Sequence, residues 1–149
     1  MEQVYVRKAV TDDAVDLSQL FVEFIGEKSN LCAMGRQIEL ISNDPKYYLT
    51  VACLGEEVIG TAMGIICYDL VGNCNPFMVV ENVVVSQKYQ GWGIGKLLMQ
   101  EIEDFGQDNH CNYAILVSGS RRESAHKFYE ALGYSTEQRG FKKRFAKQI

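Results

Sequence analysis

The segment from Val83 to Met99 constrains the fold of this chain more than any other. A run of valines ends at Val85, glycines recur from Gly91 to Gly95, and apolar residues then follow at helical spacing. Glycine lets the backbone turn tightly and come close to a ligand. The first amides of a helix have no internal acceptors and lie at its positive end. The pattern predicts a strand, a turn and a helix that form an anion site suited to phosphate or pyrophosphate.

The glycine spacing argues against two common nucleotide-binding loops. A P-loop has the pattern G-x-x-x-x-G-K-S/T, whereas leucine follows Lys96 here. A dinucleotide-binding fold has G-x-G-x-x-G near the start of a βαβ unit. Gly91, Gly93 and Gly95 have a different spacing and lie past the middle of the chain.

The remainder of the chain alternates between β-rich and helical patterns. Strands are predicted at residues 4–10, 47–54, 58–68, 77–85, 113–117, 134–138 and 141–145. Helices are predicted from an N-cap at Thr11 to Ile25, at 34–41, from Ile94 to Phe105, and from Ala125 to Leu132, closing at Gly133. This order predicts an α/β fold with a mixed, mostly antiparallel sheet of about seven strands and about four helices. No linker is evident, so one domain over residues 1–149 is expected.

Composition and charge narrow the classes of function. The net charge of −4 and the pI of about 5.2 argue against general nucleic-acid binding, which needs a basic surface, and are compatible with a cationic substrate. No apolar run is long enough to span a bilayer, so no membrane partner is expected. The first residues lack the basic start and apolar stretch of a signal peptide, and a cytoplasmic location is expected.

The five cysteines are odd in number and form no C-x-x-C pair. They therefore suggest neither a disulfide framework nor a zinc site, and no metal is expected. Most lie in apolar stretches, where inert core thiols are expected. The cysteines are Cys32, Cys53, Cys67, Cys74 and Cys111.

Gln90, Gly93 and Gly95 fill the pattern R/Q-x-x-G-x-G/A, which is typical of an acyl-CoA-binding turn. Further along the chain, the segment from Phe128 to Tyr134 has the pattern F-Y-E-x-x-G-Y. These two motifs, in this order, resemble those of the GNAT superfamily of N-acetyltransferases. The resemblance implies a GNAT-like fold, acetyl-CoA as cosubstrate, and direct attack of an amine on the thioester without a covalent acyl-enzyme.

The resemblance also implies where acetyl-CoA binds. Main-chain groups of Val83, Val84 and Val85 would hydrogen-bond the pantetheine arm beside a splayed strand. The pyrophosphate would contact the amides of Gln90, Gly91, Trp92, Gly93, Ile94, Gly95 and Lys96. Many relatives have an asparagine at the position of Arg122, so Ser124, Ser118 or an arginine is expected to replace its contact. Trp92 either lies beside the cofactor or is a surface aromatic.

Two residues are implied as catalytic. Tyr129 would protonate the departing thiolate, and the alternative is a tyrosine of the core. Glu81 would accept the proton of the amine through a water, and the alternative is a surface glutamate. His126, one turn before Tyr129, either supports the site from behind that residue or is a solvated or packed histidine. Weaker candidates for the acceptor pocket are Glu23, Glu27, Asp69, Tyr47 and Tyr48.

The acceptor is first expected to be a primary amine of a small molecule. A protein N-terminus or lysine is the second expectation. A non-catalytic acyl-CoA sensor is an alternative of another class, although the presence of Tyr129 and Glu81 favours an enzyme. A homodimer through the terminal strands is left open, by analogy with similar folds.

Overall fold

A computed structural model of the chain describes residues 2–146, in which five strands form one sheet with the order β1-β2-β3-β4-β5. The strands are β1 Val4–Lys8, β2 Tyr47–Leu54, β3 Glu57–Cys67, β4 Phe77–Val85 and β5 Ala114–Ile115. The helices are α1 Ala14–Ile25, α2 Leu31–Ser42, α3 Ile94–Asp108 and α4 Glu123–Ala131. Strands β1 to β4 pair antiparallel in sequence order, and β5 pairs with β4 in parallel. The predicted α/β class, mixed sheet and four helices are confirmed.

The chain divides into two compact units. The first ends at Leu116 and contains the sheet with α1, α2 and α3, and the second begins at Val117 and contains α4. In the part of the chain that is described, no helix is both long and apolar enough to cross a membrane.

The prediction of about seven strands is wrong for the described residues. Residues 134–138 and 141–145 form no strand, and the strand predicted at 113–117 is reduced to Ala114–Ile115. The apolar side chains that would form the buried face of these strands are exposed to solvent. The exposed fraction is 92% for Phe141, 83% for Phe145 and 47% for Ile115. A strand needs ladder partners and a packed face, and an alternating pattern alone supplies neither.

The starts of α1 and α2 also differ from the prediction. Thr11 does not cap α1, because residues 11–13 form a 3-10 turn before Ala14. The Asp13 carboxylate accepts hydrogen bonds from both terminal nitrogens of Arg7, each at 2.8 Å, and from the Val10 amide at 2.8 Å. Helix α2 begins three residues earlier than predicted because the side chain of Asn30 accepts a hydrogen bond from the amide of Ala33 at 3.0 Å.

One face of the sheet packs against α1 and α2. Leu17 and Leu20 of α1 and Ile38 of α2 form a buried cluster with side chains of β2. The members of that cluster on β2 are Leu49, Val51 and Cys53. Because alternate residues of a strand point to opposite faces, the same strand presents Thr50 and Ala52 to the other side.

Helix α3 covers the opposite face of the sheet. Ile94, Leu98 and Ile102 are at most 1% exposed and lie along one side of the helix. A side chain in place of Gly60 would lie 3.1 Å from Leu98, so a residue without a side chain lets α3 approach the sheet. This packing fixes the start of α3, and hence the glycine turn before it, at the end of β4.

The cysteines fit the prediction of inert core thiols only in part. Cys53 is buried, Cys67 and Cys111 are half-buried, and Cys32 and Cys74 are exposed. All five are free thiols. Burial raises the pKa of Cys53 and of Cys111, which makes their thiolates less available.

Candidate active site

Strand β4 contains a bulge at Asn82 and Val83, close to its end. Val84 pairs with Thr61 and Glu81 pairs with Met63, so Asn82 and Val83 together lie opposite Ala62. Asn82 has φ of 56°, a left-handed conformation that asparagine tolerates better than most residues. Such bulges re-aim side chains and are frequent beside active sites.

The bulge reverses the direction of the side chains along β4, so that even-numbered residues before and after it point to opposite faces of the sheet. Met78 lies against α3, where a side chain at Gly106 would meet its sulfur at 3.1 Å. Val84 instead belongs to the buried cluster with Leu17 and Leu20 of α1. Both positions are even-numbered, so an unbroken strand would place them on the same face. The sequence analysis did not predict the bulge at Asn82. Its only signal in the sequence is a polar residue that tolerates positive φ inside a run of valines.

Beyond the bulge, β4 lacks a strand neighbour on one side. Strand β5 pairs only with Met78 and Val79, and no ladder partner follows on that side within residues 2–146. Val83, Val84 and Val85 therefore keep one edge of β4 open, as expected for a strand that receives an extended ligand. Glu81 is exposed just before this edge, next to Asn82.

The glycine turn connects this open edge to α3. Gly91 and Gly93 have φ of 86° and 78°, and no atom of residues 2–146 lies within 4 Å of the position that a side chain would occupy at either. Packing therefore does not require these glycines, whereas the left-handed backbone does. The space above the turn is open, which leaves room for a ligand close to the backbone.

Most amides of the turn are available to an anion. Seven amides are expected to bind pyrophosphate. In the described part of the chain, five of them donate no backbone hydrogen bond: Gly91, Gly93, Ile94, Gly95 and Lys96. The amides of Gln90 and Trp92 donate, both at 3.4 Å, to the carbonyls of the first and last residues of the preceding 3-10 turn, Gln87–Tyr89. Five free amides at the entry to a helix are an arrangement that can serve as a cradle for an anion.

Tyr129 lies on α4 in the second unit and is 9% exposed. The rings of Phe128 and Tyr134 lie 5.1 and 5.9 Å from its ring. Burial raises the pKa of Tyr129, and the positive charge of Arg122 offsets part of the increase. The phenol is therefore protonated at neutral pH and can donate a proton or a hydrogen bond.

The other predicted residues of the second unit are near α4. Ser124 is exposed in the first turn of the helix. His126 is held by a 2.7 Å hydrogen bond between its Nε2 and the carbonyl of Gly119. The hydroxyl of Ser118 is buried and has no hydrogen-bond partner in the described residues, so a ligand or a water could satisfy it.

The weaker candidates have partners that suggest structural roles. Tyr48 donates a hydrogen bond to Glu101 at 2.9 Å, and burial together with this bond raises its pKa to about 12. Asp69 accepts hydrogen bonds from the amides of the two residues that follow it. Glu23 accepts a 3.4 Å hydrogen bond from Ser86, which places it at the end of β4. Among the described residues, no three histidine, cysteine or acidic residues are grouped to hold a metal.

Comparisons with known proteins identify the family. Residues 14–134 match the acetyltransferase (GNAT) family. A probable glucosamine 6-phosphate N-acetyltransferase of Drosophila melanogaster is 31% identical over 90 residues, which are 59% of this chain and 40% of that relative. The chain thus spans about two fifths of the length of this curated relative.

Solved structures share the fold. Glucosamine-6-phosphate N-acetyltransferase from Arabidopsis thaliana is 22% identical and superposes with a TM-score of 0.85, over 97% of this chain and 100% of that one. An aminoglycoside N-acetyltransferase in complex with CoA is 18% identical, with a TM-score of 0.83 over 97% and 96% of the two chains. The resemblance drawn from the two sequence motifs is confirmed, and the chain belongs to the acetyltransferase (GNAT) family.

Proposed function

We propose that this chain transfers the acetyl group of acetyl-CoA to an amine of a small molecule. The observation that carries the proposal is the continuity of two open features. The unpaired edge of β4 at Val83–Val85 is followed, after one short 3-10 turn, by the free amides of Gly91, Gly93, Ile94, Gly95 and Lys96. An extended arm that ends in a pyrophosphate fits both, and the CoA complex of the aminoglycoside N-acetyltransferase supports the same cosubstrate.

The pantetheine arm and the pyrophosphate of the cosubstrate would each have a matching group in the chain. Main-chain groups of Val83–Val85 would hold the pantetheine arm, and the free amides of the turn would hold the pyrophosphate. Ser124 and the unsatisfied hydroxyl of Ser118 are candidates for further contacts. Acetyl-CoA supplies the activated thioester, and the chain supplies orientation and proton transfer.

Three proton transfers accompany the exchange of bonds. The amine arrives protonated, and Glu81, which is exposed to solvent, would accept its proton through a water. The amine nitrogen then forms a bond with the acetyl carbon while the carbon–sulfur bond breaks. Tyr129 would donate its proton to the departing thiolate, and its raised pKa keeps the phenol protonated at neutral pH. The nitrogen of the new amide then loses its remaining excess proton, which returns Tyr129 to the phenol, so the products are the amide, the free thiol and one proton released through Glu81.

The acceptor is proposed from the names of similar proteins. These names include glucosamine 6-phosphate and aminoglycoside acetyltransferases, whose acceptors are small molecules. A small-molecule primary amine is therefore the first candidate, and a protein N-terminus or lysine is the second. A single acetyltransferase domain remains the proposal for the whole chain, because the family match runs through both compact units. The homodimer and the cytoplasmic location remain predictions.

Calorimetric titration of the purified chain with acetyl-CoA, free CoA and ATP tests the proposal. We expect acetyl-CoA to bind and ATP to bind weakly, because the turn lacks P-loop spacing. Thiol release would then be measured with glucosamine 6-phosphate, an aminoglycoside and a peptide with a free N-terminus. Absence of acetyl-CoA binding at millimolar concentration would refute the proposal, whereas binding without thiol release for any amine would favour a sensor.

A further inference from the structure

Tyr89 precedes the glycine turn and is not among the residues expected to touch the cosubstrate. It is only 6% exposed, although the residues on both sides of it are exposed. Its hydroxyl donates a hydrogen bond to Oε2 of Glu57 at 2.8 Å. Glu57 is the first residue of β3. The phenol therefore ties the glycine turn to the hairpin that joins β2 and β3.

The backbone of Tyr89 fixes the turn from within. Its amide donates to the carbonyl of Ser86 at 2.9 Å, and its carbonyl accepts from the amide of Trp92 at 3.4 Å. Ser86 in turn donates its amide to the carbonyl of Ile59 at 2.8 Å. The segment before the glycines is thus attached to β3 at two points, one through the backbone of Ser86 and one through the side chain of Tyr89.

The aromatic ring of Tyr89 supports Trp92. The two ring centres lie 5.1 Å apart at an interplanar angle of 89°, an edge-to-face contact. The hydrogen bond to Glu57 raises the pKa of Tyr89, so the phenol keeps its proton and remains a donor at neutral pH. Hydrogen bonds to ionised acceptors are stronger than those between neutral groups.

We propose that Tyr89, through its hydrogen bond to Glu57, is a positioning residue that orients the turn amides toward a pyrophosphate. The inference rests on the proposed function. Gly91 and Gly93 have no side chains to restrain them, and glycine has access to more backbone conformations than any other residue. Without an external restraint, only a fraction of molecules presents the amides correctly, and the apparent Kd rises in inverse proportion to that fraction.

Tyr89→Phe tests the inference because it removes the hydroxyl and keeps the ring beneath Trp92. Trp92 is the only tryptophan of the chain and is 59% exposed, so its fluorescence reports directly on the turn. We expect the Kd for acetyl-CoA to rise about fivefold, since a lost charge-assisted hydrogen bond is worth roughly this factor or more. Acetylpantetheine lacks the pyrophosphate, so its Kd or KM is expected to be unchanged.

Matched variants separate positioning from general stability. The hydroxyl of Tyr5, on β1, donates a hydrogen bond at 3.0 Å to the carbonyl of Gly55 in the same β2–β3 hairpin, so it contacts the hairpin backbone and not Glu57. Tyr5→Phe is therefore expected to leave the Kd for acetyl-CoA unchanged. Glu57→Ala is expected to match Tyr89→Phe, and the double variant is expected to be no weaker than either single one. Glu57→Gln keeps an oxygen acceptor and is expected to bind acetyl-CoA more tightly than Glu57→Ala.

The outcomes distinguish this inference from the proposed function. A selective loss of acetyl-CoA affinity in Tyr89→Phe, with KM raised and kcat retained, supports it. An unchanged Kd for acetyl-CoA, or an equal loss for acetyl-CoA and acetylpantetheine, overturns the inference and leaves the proposed function intact. If the wild-type protein does not bind acetyl-CoA, the proposed function and the inference both fail.

Discussion

The phenol of Tyr129 combines burial with a neighbouring positive charge. Burial disfavours the phenolate and raises its pKa above the ordinary value of 10.0, and Arg122 opposes this shift. The acid form is present below the raised pKa and is lost only above it. Loss of this proton is therefore not expected to slow the reaction between neutral pH and pH 10.

Tyr129→Phe is expected to lower kcat by about a hundredfold or more, the usual contribution of a general acid. The Kd for acetyl-CoA is expected to change little, because the hydroxyl acts on the departing thiolate. Thiol release gives the rate and calorimetry gives the affinity. Tyr134→Phe is the matched control, since its ring packs against Tyr129 at 5.9 Å. An unchanged kcat in Tyr129→Phe would remove this residue as the acid.

Single residues were predictable where a motif defined their position. A tight turn from Gln90 to Lys96 was predicted from its glycine spacing, and two of its glycines, Gly91 and Gly93, have a left-handed backbone. Asn82 and the Arg7–Asp13 pair were not predicted. A bulge depends on how β4 aligns with β3, and an ion pair depends on how the chain folds back. Neither property can be read from residues that are neighbours in sequence.

At the scale of elements, the glycine turn requires a backbone that ordinary residues adopt only with strain. Gly93→Ala places a side chain at φ of 78° and meets no atom within 4 Å, so its effect is strain without a steric clash. Gly26, which ends α1, has φ of 77° and also has nothing within 4 Å. Both alanine variants are expected to lose about 1 kcal/mol of unfolding free energy.

Acetyl-CoA binding separates the two glycine variants. Only Gly93→Ala is expected to weaken the binding of acetyl-CoA, because only this glycine lies in the proposed pyrophosphate cradle. Urea unfolding measures the stability of both variants, and calorimetry measures their affinity. Equal affinities in the two variants would count against assignment of the cradle to this turn.

Elements that are stabilised by a buried apolar face were predicted well, and elements whose ends depend on a single contact were predicted less well. Strands β2, β3 and β4 were predicted within one residue at nearly every end, because their buried faces follow the apolar pattern. Helix α2 was predicted to start too late because the capping contact of Asn30 was overlooked. The last two predicted strands had the alternating pattern, but Phe141 and Phe145 remain exposed in the structure.

At the scale of the molecule, one ion pair joins the first strand to the entry of the first helix. Arg7 of β1 contacts Asp13, whose side chain is only 7% exposed, through two hydrogen bonds of 2.8 Å. Burial alone would raise the pKa of Asp13, but the bonds from Arg7 and from the Val10 amide outweigh it and lower the pKa below 3.8. A group with a lowered pKa in the folded state stabilises the fold above its unfolded-state pKa. This stabilisation is lost as the pH falls through the folded-state value.

Asp13→Asn is therefore expected to cost about 2 kcal/mol of unfolding free energy at neutral pH, through the lost charge-assisted hydrogen bonds. The difference from the wild type is expected to narrow as the pH falls below 3.8, because the wild-type carboxylate then becomes protonated as well. Urea unfolding followed by circular dichroism, at neutral pH and at about pH 3, measures both differences. The exposed neighbour Asp12 provides the control Asp12→Asn, which is expected to leave the unfolding free energy unchanged at both pH values. The difference in unfolding free energy between Asp13→Asn and the wild type could instead stay constant with pH. Asp13 would then stabilise the fold through packing and not through its ionised carboxylate.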